Sequence, residues 1–441
     1  MAMKRTWVLG LALALLVAGY AMIACKASAS SEDFVPLFNG KDLEGWVNVN
    51  CAPETWTVRE KMIVCTGIPM GVLRTTKQYE NFDLELEWRH MKKSGNAGLF
   101  IHSDPMPATG EPFTRSIEIQ IMDGNAGDVF AIQGAALTPD KPHPQGWTRA
   151  LPAENRMNPA GEWNRYRVES RDGMVTLTVN GKVVTRAFYC NPRKGYICLE
   201  SEGSEIHFRN IRIRELTGSN PPSEVVAEKD RGFQSLYTGV DFRHWKEVPG
   251  NKNHWVARDY ILDYDGKSEA EGEDKQLWTE KEYKNFILII DWRLPAEPKL
   301  DSVPVVLPDG NDAIGADGKE LKVFVLDAGD SGVYLRGSSK SQVNIWNWPV
   351  GSGEFYGYRT DKSMPAEVRR AVTPILNADN PVGQWNRFEI TVIGDKVTVA
   401  ENGKVVIREA QLPGMPASGP IALQHHGDPV QFANIFIKEL D

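Results

Sequence analysis

The residues best suited to chemistry lie on one predicted strand, Ile117-Glu118-Ile119-Gln120-Ile121-Met122-Asp123. Side chains alternate between the two faces of a strand, so Glu118 and Gln120 share one face and the isoleucines take the other. A one-residue bulge at Met122 would turn Asp123 onto the face of Glu118. Two carboxyl groups beside an amide could then act as acid and base on a sugar. We predict a catalytic site here; the alternative is a row of ordinary solvent-facing positions.

A neighbouring predicted strand runs from Asn96 to His102 and supplies further candidates. His102 is expected on the same face as Glu118, where an imidazole that titrates near neutrality could shuttle protons. The alternative for His102 is a structural role. Asn96 is a candidate substrate-binding residue.

A long loop from Gln133 to Pro159 carries His143 and Trp147, which could close over a sugar ring. Apolar ring faces suit sugars, although most of the 13 tryptophans are expected in the core. Two adjacent histidines, His425 and His426, point to opposite sides of a strand and so do not suggest a joint metal site.

The chain repeats its own sequence. Residues 37–46 return as residues 236–245, and residues 208–216 return as residues 432–440. A repeat this long indicates a duplicated domain, because solenoid repeats have periods of about 20–50 residues.

The second copy replaces both candidate carboxylates with amides. Gln342 stands where the first copy has Glu118, and Asn347 stands where it has Asp123. An amide keeps the shape and the hydrogen bonding but has no acid–base capacity. We therefore expect catalysis in the first copy and ligand binding or scaffolding in the second, with Gln342, Asn344 and Arg336 as the binding candidates.

The strands that surround these residues predict an all-β fold of two tandem sandwiches. Asn180-Gly181 and Asn402-Gly403 each lie between β-branched runs, as in a type I′ hairpin, and long helical periodicity is absent. We predict a first domain over residues 34–216, a linker over 217–231 that contains Pro221-Pro222, and a second domain over 232–441. A long acidic insert, Pro295 to Asp330, is expected to be a solvated loop rather than a calcium site.

The N-terminus predicts export. Lys4 and Arg5 precede an apolar run, and Met22-Ile23-Ala24-Cys25 resembles a bacterial lipobox in which the cysteine is acylated after cleavage. We predict a lipoprotein signal over residues 1–24, a tether over 25–33 and a periplasmic or cell-surface location with a membrane contact through lipid on Cys25. The alternative is a plain secretory signal cut near Ala29.

The net charge narrows the classes of binding partner, and the cysteine content narrows the possible disulfides. The formal net charge of −8 argues against nucleic acid and is compatible with a neutral carbohydrate. The remaining cysteines, Cys51, Cys65, Cys190 and Cys198, permit two disulfides in an exported protein or four buried thiols. No cofactor motif is evident, although a divalent metal is an option.

Together these motifs resemble the bacterial 3-keto-disaccharide hydrolase domain family. The matching segments include Leu37-Phe38-Asn39-Gly40, Asn96-Ala97-Gly98, Glu118 to Asp123, Gly161-Glu162-Trp163-Asn164 and Phe208-Arg209-Asn210-Ile211. The resemblance implies concanavalin A-like jelly-roll sandwiches that handle carbohydrate in the cell envelope. The first copy departs from the family at Ala97, where Ser is usual, and at His102, where Arg is frequent.

The resemblance also implies a reaction. A ketone at C3 acidifies the C2 proton, a base removes it, the C1 oxygen leaves by elimination, and water adds back. Glu118 or His102 would be the base, Gln120 the positioning donor and Asp123 the acid. Two alternatives remain: a retaining glycoside hydrolase of laminarinase-like type that uses Glu118 and Asp123 on unoxidised glycans, and a non-catalytic sugar-binding lipoprotein.

Overall fold

A computed structural model describes residues 33–441 of the chain. The predicted signal sequence and the predicted acylation of Cys25 lie outside the described residues and stay predictions. Within residues 33–441, no helix is both long enough and apolar enough to cross a membrane.

The first half of the chain folds into two facing antiparallel sheets. Its strands are β1 (Val35–Pro36), β2 (Trp46–Asn48), β3 (Trp56–Arg59), β4 (Met62–Cys65), β5 (Gly71–Thr75), β6 (Phe82–His90), β7 (Gly98–Ser103), β8 (Ser116–Gln120), β9 (Val129–Ile132), β10 (Ala136–Pro139), β11 (Arg149–Ala150), β12 (Asn164–Arg171), β13 (Met174–Val179), β14 (Lys182–Asn191), β15 (Tyr196–Ser201) and β16 (Ile206–Glu215). One sheet has the order β10-β14-β13-β12-β6-β16-β4-β3, with β1 paired to β16. The other has the order β11-β9-β8-β7-β15-β5-β2.

The second half repeats this plan. Its elements are β17 (Gln234–Ser235), β18 (Trp255–Arg258), β19 (Ile261–Tyr264), β20 (Leu277–Tyr283), β21 (Asn285–Arg293), β22 (Lys299–Pro304), β23 (Lys322–Asp327), β24 (Ser331–Leu335), β25 (Ser338–Ile345), α1 (Tyr356–Arg359), α2 (Ala366–Ala371), β26 (Asn386–Ile393), β27 (Lys396–Glu401), β28 (Lys404–Gln411), β29 (Gly419–Leu423) and β30 (Val430–Leu440). The larger sheet is β18-β19-β30-β21-β26-β27-β28, with β17 on β30, and the smaller sheet is β20-β29-β24-β25.

The predicted fold class, two tandem all-β sandwiches, is confirmed. Both Asn-Gly pairs have positive φ at each residue, 46° and 85° at Asn180-Gly181 and 49° and 76° at Asn402-Gly403, as a type I′ turn requires. Each core lies between its two sheets, where alternate residues such as Leu99 and Ile119 in the first domain are buried.

The insert predicted as a solvated loop is instead partly ordered as a hairpin. Strands β22 and β23 pair antiparallel, with Leu300 opposite Leu326. The face that carries Leu300 and Phe324 is open to solvent, because these side chains are 70% and 72% exposed.

The four cysteines of the described chain are buried free thiols, which decides between the two alternatives left by the sequence. Burial raises the pKa of Cys65, Cys190 and Cys198 to about 12, so these thiols stay protonated at neutral pH.

The two domains pack against each other through a mixed apolar and polar interface. A cluster of apolar side chains joins the seven-stranded sheet of the first domain to the outer face of β21 and β30 in the second; its members include Val72, Phe100, Cys198, Ile289 and Phe436.

Next to this cluster, three side chains of the second domain hold the backbone of a loop from the first domain; we call Asp291, Arg387 and Asn434 the interdomain clamp. Asp291 is fully buried and accepts hydrogen bonds from Gly110 N at 2.8 Å, Asn434 Nδ2 at 2.8 Å and Arg387 Nε at 2.6 Å. Arg387 and Asn434 donate in turn to carbonyl oxygens between Pro107 and Glu111. The loop between β7 and β8 is therefore fixed from outside its own domain.

Candidate active site

The candidate site lies on the face of the seven-stranded sheet that points away from the first domain's core. Strand β7 pairs with β8 so that Gly98 is opposite Gln120 and Phe100 is opposite Glu118. Strand β15 pairs on the other side of β7, with Leu199 opposite Leu99. The alternation of strand residues then places Glu118, Gln120, Gly98 and Glu200 on one face.

Three carboxyl groups meet on this face: Glu118, Glu200 and Glu202. Glu118 is 8% exposed and Glu200 is 1% exposed. Burial, with a further contribution from the charge of Glu202, raises the pKa of Glu118 to about 8. Burial and the neighbouring charges of Glu118 and Glu202 also raise the pKa of Glu200. Like charges so close together cannot all ionise at neutral pH, so the cluster holds at least one exchangeable proton.

Gly98 allows the two inner carboxyl groups to approach each other. A Cβ atom at Gly98 would lie 2.7 Å from Glu200 Oε2 and 3.1 Å from Glu118 Oε1. Any side chain there would therefore fill the space that the carboxyl groups share. Glu200 Oε2 is buried and has no hydrogen-bond partner among the described residues.

Polar groups around the cluster are held in defined orientations. Gln120 Oε1 accepts a hydrogen bond from the backbone N–H of Ile121 at 2.9 Å, so the Nε2 group of Gln120 is the end left to donate. Asn96 donates to Glu202, which ties the two strand ends together. Asp128 and Arg149 form an ion pair, and both charges act on the pKa of Glu118.

The loop residues His143 and Trp147 lie beside this ion pair. Their rings stack with centroids 4.3 Å apart, and the Trp147 side chain is 53% exposed. The Arg149 guanidinium lies 5.8 Å from the Trp147 ring and 4.5 Å from the Phe130 ring. Strand pairing places Phe130 opposite Glu118, so the aromatic loop borders the carboxyl cluster.

Asp123 is placed in a different environment from the one expected. No bulge returns its side chain to the face of Glu118, because β8 ends at Gln120. The Asp123 carboxylate accepts hydrogen bonds from Ser94 N at 2.9 Å and Ala160 N at 3.0 Å. It therefore connects two loops. In the second domain Asn347 accepts from Ala328 N at 3.0 Å, which matches the bond from Ser94.

His102 and Arg336 occupy matching positions, and the expectation that His102 faces Glu118 is wrong. Both have a left-handed backbone, with φ of 55° and 51°, at a register shift near the end of β7 and of β24. This conformation turns the side chain off the ligand face. His102 Nε2 lies 3.2 Å from Glu80 O, and burial lowers the pKa of the imidazole to about 4.

Arg336 is likewise committed to the backbone rather than to a ligand. It is 2% exposed and donates to the carbonyl oxygens of Gly394 at 2.6 Å, Pro416 at 3.1 Å and Lys284.

The second domain has no carboxyl group at the three positions that match the carboxyl cluster. By strand register Gln342 matches Glu118. In the same way Gln424 matches Glu200, and His426 matches Glu202. Gln342 Nε2 donates to Asn344 Oδ1 at 2.5 Å and to Gln424 Oε1 at 2.7 Å. The second domain therefore has an amide in place of a carboxylate on two strands: Gln342 for Glu118, and Gln424 for Glu200.

Glu200 and Glu202 are the site residues that the sequence analysis missed. A signal was present: Leu199-Glu200-Ser201-Glu202 aligns with Leu423-Gln424-His425-His426, the same loss of carboxylates that distinguishes Glu118 from Gln342.

The described part of the chain holds no group of three or more His, Cys, Asp or Glu side chains arranged to bind a metal ion. His425 and His426 diverge, as expected: His425 Nδ1 meets the hydroxyl of Tyr264, whereas His426 lies 3.8 Å from Asp330 and 3.7 Å from Asp428.

Comparison with known proteins shows which family the chain matches. A family profile described as a 3-keto-alpha-glucoside-1,2-lyase-like domain matches residues 33–214 and again residues 232–438. The chain is 21% identical to a 3-keto-disaccharide hydrolase of Bacteroides thetaiotaomicron, over 44% of this chain and 82% of that protein.

Solved structures of similar fold include a candidate glycosyl hydrolase from Parabacteroides distasonis, with 25% identity, a TM-score of 0.34 and coverage of 42% of this chain and 94% of that chain. They also include a carbohydrate-binding module from Bacillus subtilis, with 14% identity, a TM-score of 0.30 and coverage of 39% and 96%.

Proposed function

Because this chain belongs to the 3-keto-alpha-glucoside-1,2-lyase-like domain family, with one match in each half, we propose that its first domain cleaves the glycosidic bond of 3-keto-glycosides. The observation that carries this proposal is the cluster of Glu118, Glu200 and Glu202, whose carboxyl groups are replaced in the second domain by the side chains of Gln342, Gln424 and His426. A reaction that begins with proton removal needs such groups, and a binding module does not.

The reaction that fits the cluster is an elimination followed by addition of water. Glu118, as a carboxylate, takes the C2 proton that the adjacent C3 ketone has acidified. The electron pair passes into the enolate, whose oxygen accepts a hydrogen bond from Gln120 Nε2. The enolate then expels the C1 oxygen, which takes a proton from Glu200, and water adds across the new C1–C2 double bond.

The environments of the two acids suit these roles. A base with a pKa near 8 binds a proton more strongly than an ordinary carboxylate and is still partly ionised at neutral pH. Glu200 is more deeply buried and its raised pKa keeps it protonated, as a proton donor must be. Asn96 and the exposed face of Trp147 remain the candidates for holding the sugar.

A second candidate function uses the same pair without a ketone. Glu118 and Glu200 face each other across Gly98, as nucleophile and acid do in retaining glycosidases. The C2 hydrogen of the sugar would then be retained, so the two functions differ in the fate of one atom.

The deciding experiment is NMR of a methyl 3-keto-α-glucoside with the protein in deuterated water. We expect release of methanol together with deuterium at C2 of the sugar. In Glu118→Gln both should fall about 10²–10⁴-fold, the usual worth of a general base. The matched control is Glu44→Gln, an exposed carboxylate of the same domain, which should leave the rate unchanged.

Three outcomes are informative. Methanol release with protium kept at C2 would move the assignment to direct hydrolysis. Full activity in a folded Glu118→Gln protein would remove the proposed base. Absence of any release by the wild type, with perturbed sugar signals, would favour a sugar-binding protein.

A further inference from the structure

The outer face of the first domain's larger sheet carries more arginine than acid. Six outward-facing residues of strands β6, β12 and β16 form what we call the arginine face: Asp83, Glu85, Arg165, Arg167, Arg212 and Arg214. Each of the two carboxylates contacts two of the four arginines. The arginine face therefore has two positive charges in excess, in a chain whose formal net charge is −8.

The neighbouring carboxylates on the same strands do not cancel this excess. Glu87 is bound by Arg209 at 2.7 Å. Glu169 is bound by Arg171 at 2.8 Å. Each of these pairs is neutral by itself, so the two excess charges of the arginine face remain.

The positive groups of the arginine face are the ones that meet solvent. The side chains of Asp83 and Glu85 are 0% and 9% exposed. Those of Arg165 and Arg212 are 53% and 49% exposed. The carboxylates thus lie beneath a layer of guanidinium groups, and guanidinium groups bind phosphate oxygens in pairs. An anionic, phosphate-bearing surface fits this face.

The second domain does not have an arginine face. Ile289 stands where the first domain has Glu85, and Phe436 stands at the position of Arg212. Ile289 and Phe436 are buried in the apolar cluster that joins the two domains. The fold therefore does not require the arginines, and the outer sheet of each domain suits a different contact.

The described chain begins on the arginine face. The Phe34 ring lies 5.0 Å from the guanidinium of Arg212 and 5.2 Å from that of Arg214. Cys25, the predicted site of acylation, is nine positions before Phe34. Nine residues span at most about 30 Å, so a lipid on Cys25 would hold the arginine face within about 30 Å of a bilayer. The candidate active site lies on the opposite side of the sandwich.

We propose that the arginine face docks on the anionic phospholipid headgroups of the membrane to which the chain is anchored, so that the candidate active site points away from the bilayer. A lipid anchor alone leaves the protein free to rotate. Charges act within a Debye length of about 8 Å at physiological ionic strength, so the excess arginines select the face that meets the bilayer. The inference rests on the predicted acylation of Cys25 and is independent of the proposed cleavage reaction.

The test is fluorescence energy transfer from a dye on the acylated chain to an acceptor on lipid headgroups. The four cysteines of the described chain are buried, so a single introduced cysteine takes the dye. Thr176→Cys places it on the outer face, opposite Glu169 on the next strand. Gln145→Cys places it at an exposed position of the loop beside the candidate active site. In vesicles of phosphatidylcholine and phosphatidylglycerol, transfer should be high from position 176 and low from position 145.

This difference should depend on charge. It should be lost in vesicles of phosphatidylcholine alone, and lost in about 1 M salt, where the Debye length is about 3 Å. Arg165→Gln combined with Arg167→Gln removes the excess charge but leaves one arginine on each carboxylate, so the protein should fold and the difference should be lost. Arg370→Gln combined with Arg408→Gln, at two exposed arginines of the second domain, is the matched control and should keep it.

Three results would overturn the proposal. One is equal transfer from the two dye positions. Another is a difference that persists in the Arg165→Gln and Arg167→Gln variant and at high salt. The third is a chain that carries no lipid on Cys25 by mass spectrometry and does not bind the vesicles. The assay contains no sugar, so a failure of the proposed cleavage would appear separately, in the experiment with the 3-keto-glucoside.

Discussion

At the scale of single residues, environment decides what each carboxyl group does. Asp123 accepts two backbone hydrogen bonds and connects loops, whereas Glu118 is buried among like charges and has a raised pKa. Both are carboxylic acids, and they are five positions apart in the sequence. Burial and the nearby charge of Glu202 favour the protonated form of Glu118.

The raised pKa of Glu118 predicts how the activity depends on pH. The base must be ionised and Glu200 must be protonated, so kcat/KM should rise about tenfold per pH unit below pH 8 and fall again above the raised pKa of Glu200. The charge of Glu202 contributes to the raised pKa, so Glu202→Gln should move the profile toward lower pH. The measurement is kcat/KM for a 3-keto-glucoside between pH 5 and 10. A profile that Glu202→Gln leaves in place, in a folded protein, would contradict the assignment of Glu118.

At the scale of elements, the ends of strands decide which side chains face the ligand. Strict alternation would place His102 and Arg336 beside Glu118 and Gln342. A left-handed residue and a register shift in β7 and in β24 rotate both away. The same irregularity occurs in both copies, so it belongs to the fold rather than to the site of either domain.

This placement predicts a structural role for Arg336. Leucine at this position would leave several buried carbonyl oxygens without a donor, so Arg336→Leu should lower the free energy of unfolding by roughly 2–4 kcal/mol. The measurement is denaturant unfolding followed by tryptophan fluorescence. Arg408→Leu, at an exposed arginine of β28, should change the midpoint little. Equal effects of the two variants would show that Arg336 is not engaged as described.

At the scale of the whole molecule, the second domain packs against the sheet of the first domain that carries the candidate site. Ile289 and Phe436 belong to the same apolar cluster as Phe100, the strand neighbour of Glu118. Only the second copy has the residues of the interdomain clamp. It has Asp291 where the first copy has Glu87, and Ala433 where the first copy has Arg209. In the first domain Arg209 fills this space, lying 3.8 Å from the Trp163 ring and bonded to Glu87 at 2.7 Å.

The clamp predicts a large effect of a small substitution. Asp291→Asn leaves the half-buried Arg387 without a full counter-charge, so we expect a loss of roughly 1.5–3 kcal/mol in stability and faster proteolysis of the loop between Pro107 and Pro112. The matched control is Glu87→Gln on the outer face of the first domain, which should lose much less. Limited proteolysis with mapping of the cut sites measures both. Unchanged cleavage of the loop in Asp291→Asn would contradict the clamp.

The sequence by itself determined the class of fold, the duplication and one strand of the site. These rest on local rules: alternation assigned the faces of Glu118 and Gln120, and Asn-Gly marked both hairpins. Only the tertiary structure joined Glu200 and Glu202 to Glu118, since these residues are about 80 positions apart and meet through strand pairing. The tertiary structure also showed that His102 and Asp123 do not lie on the ligand face, and that the second domain packs against the first. The sequence could not show this, because bulges, loop hydrogen bonds and domain contacts depend on partners that are distant in the chain.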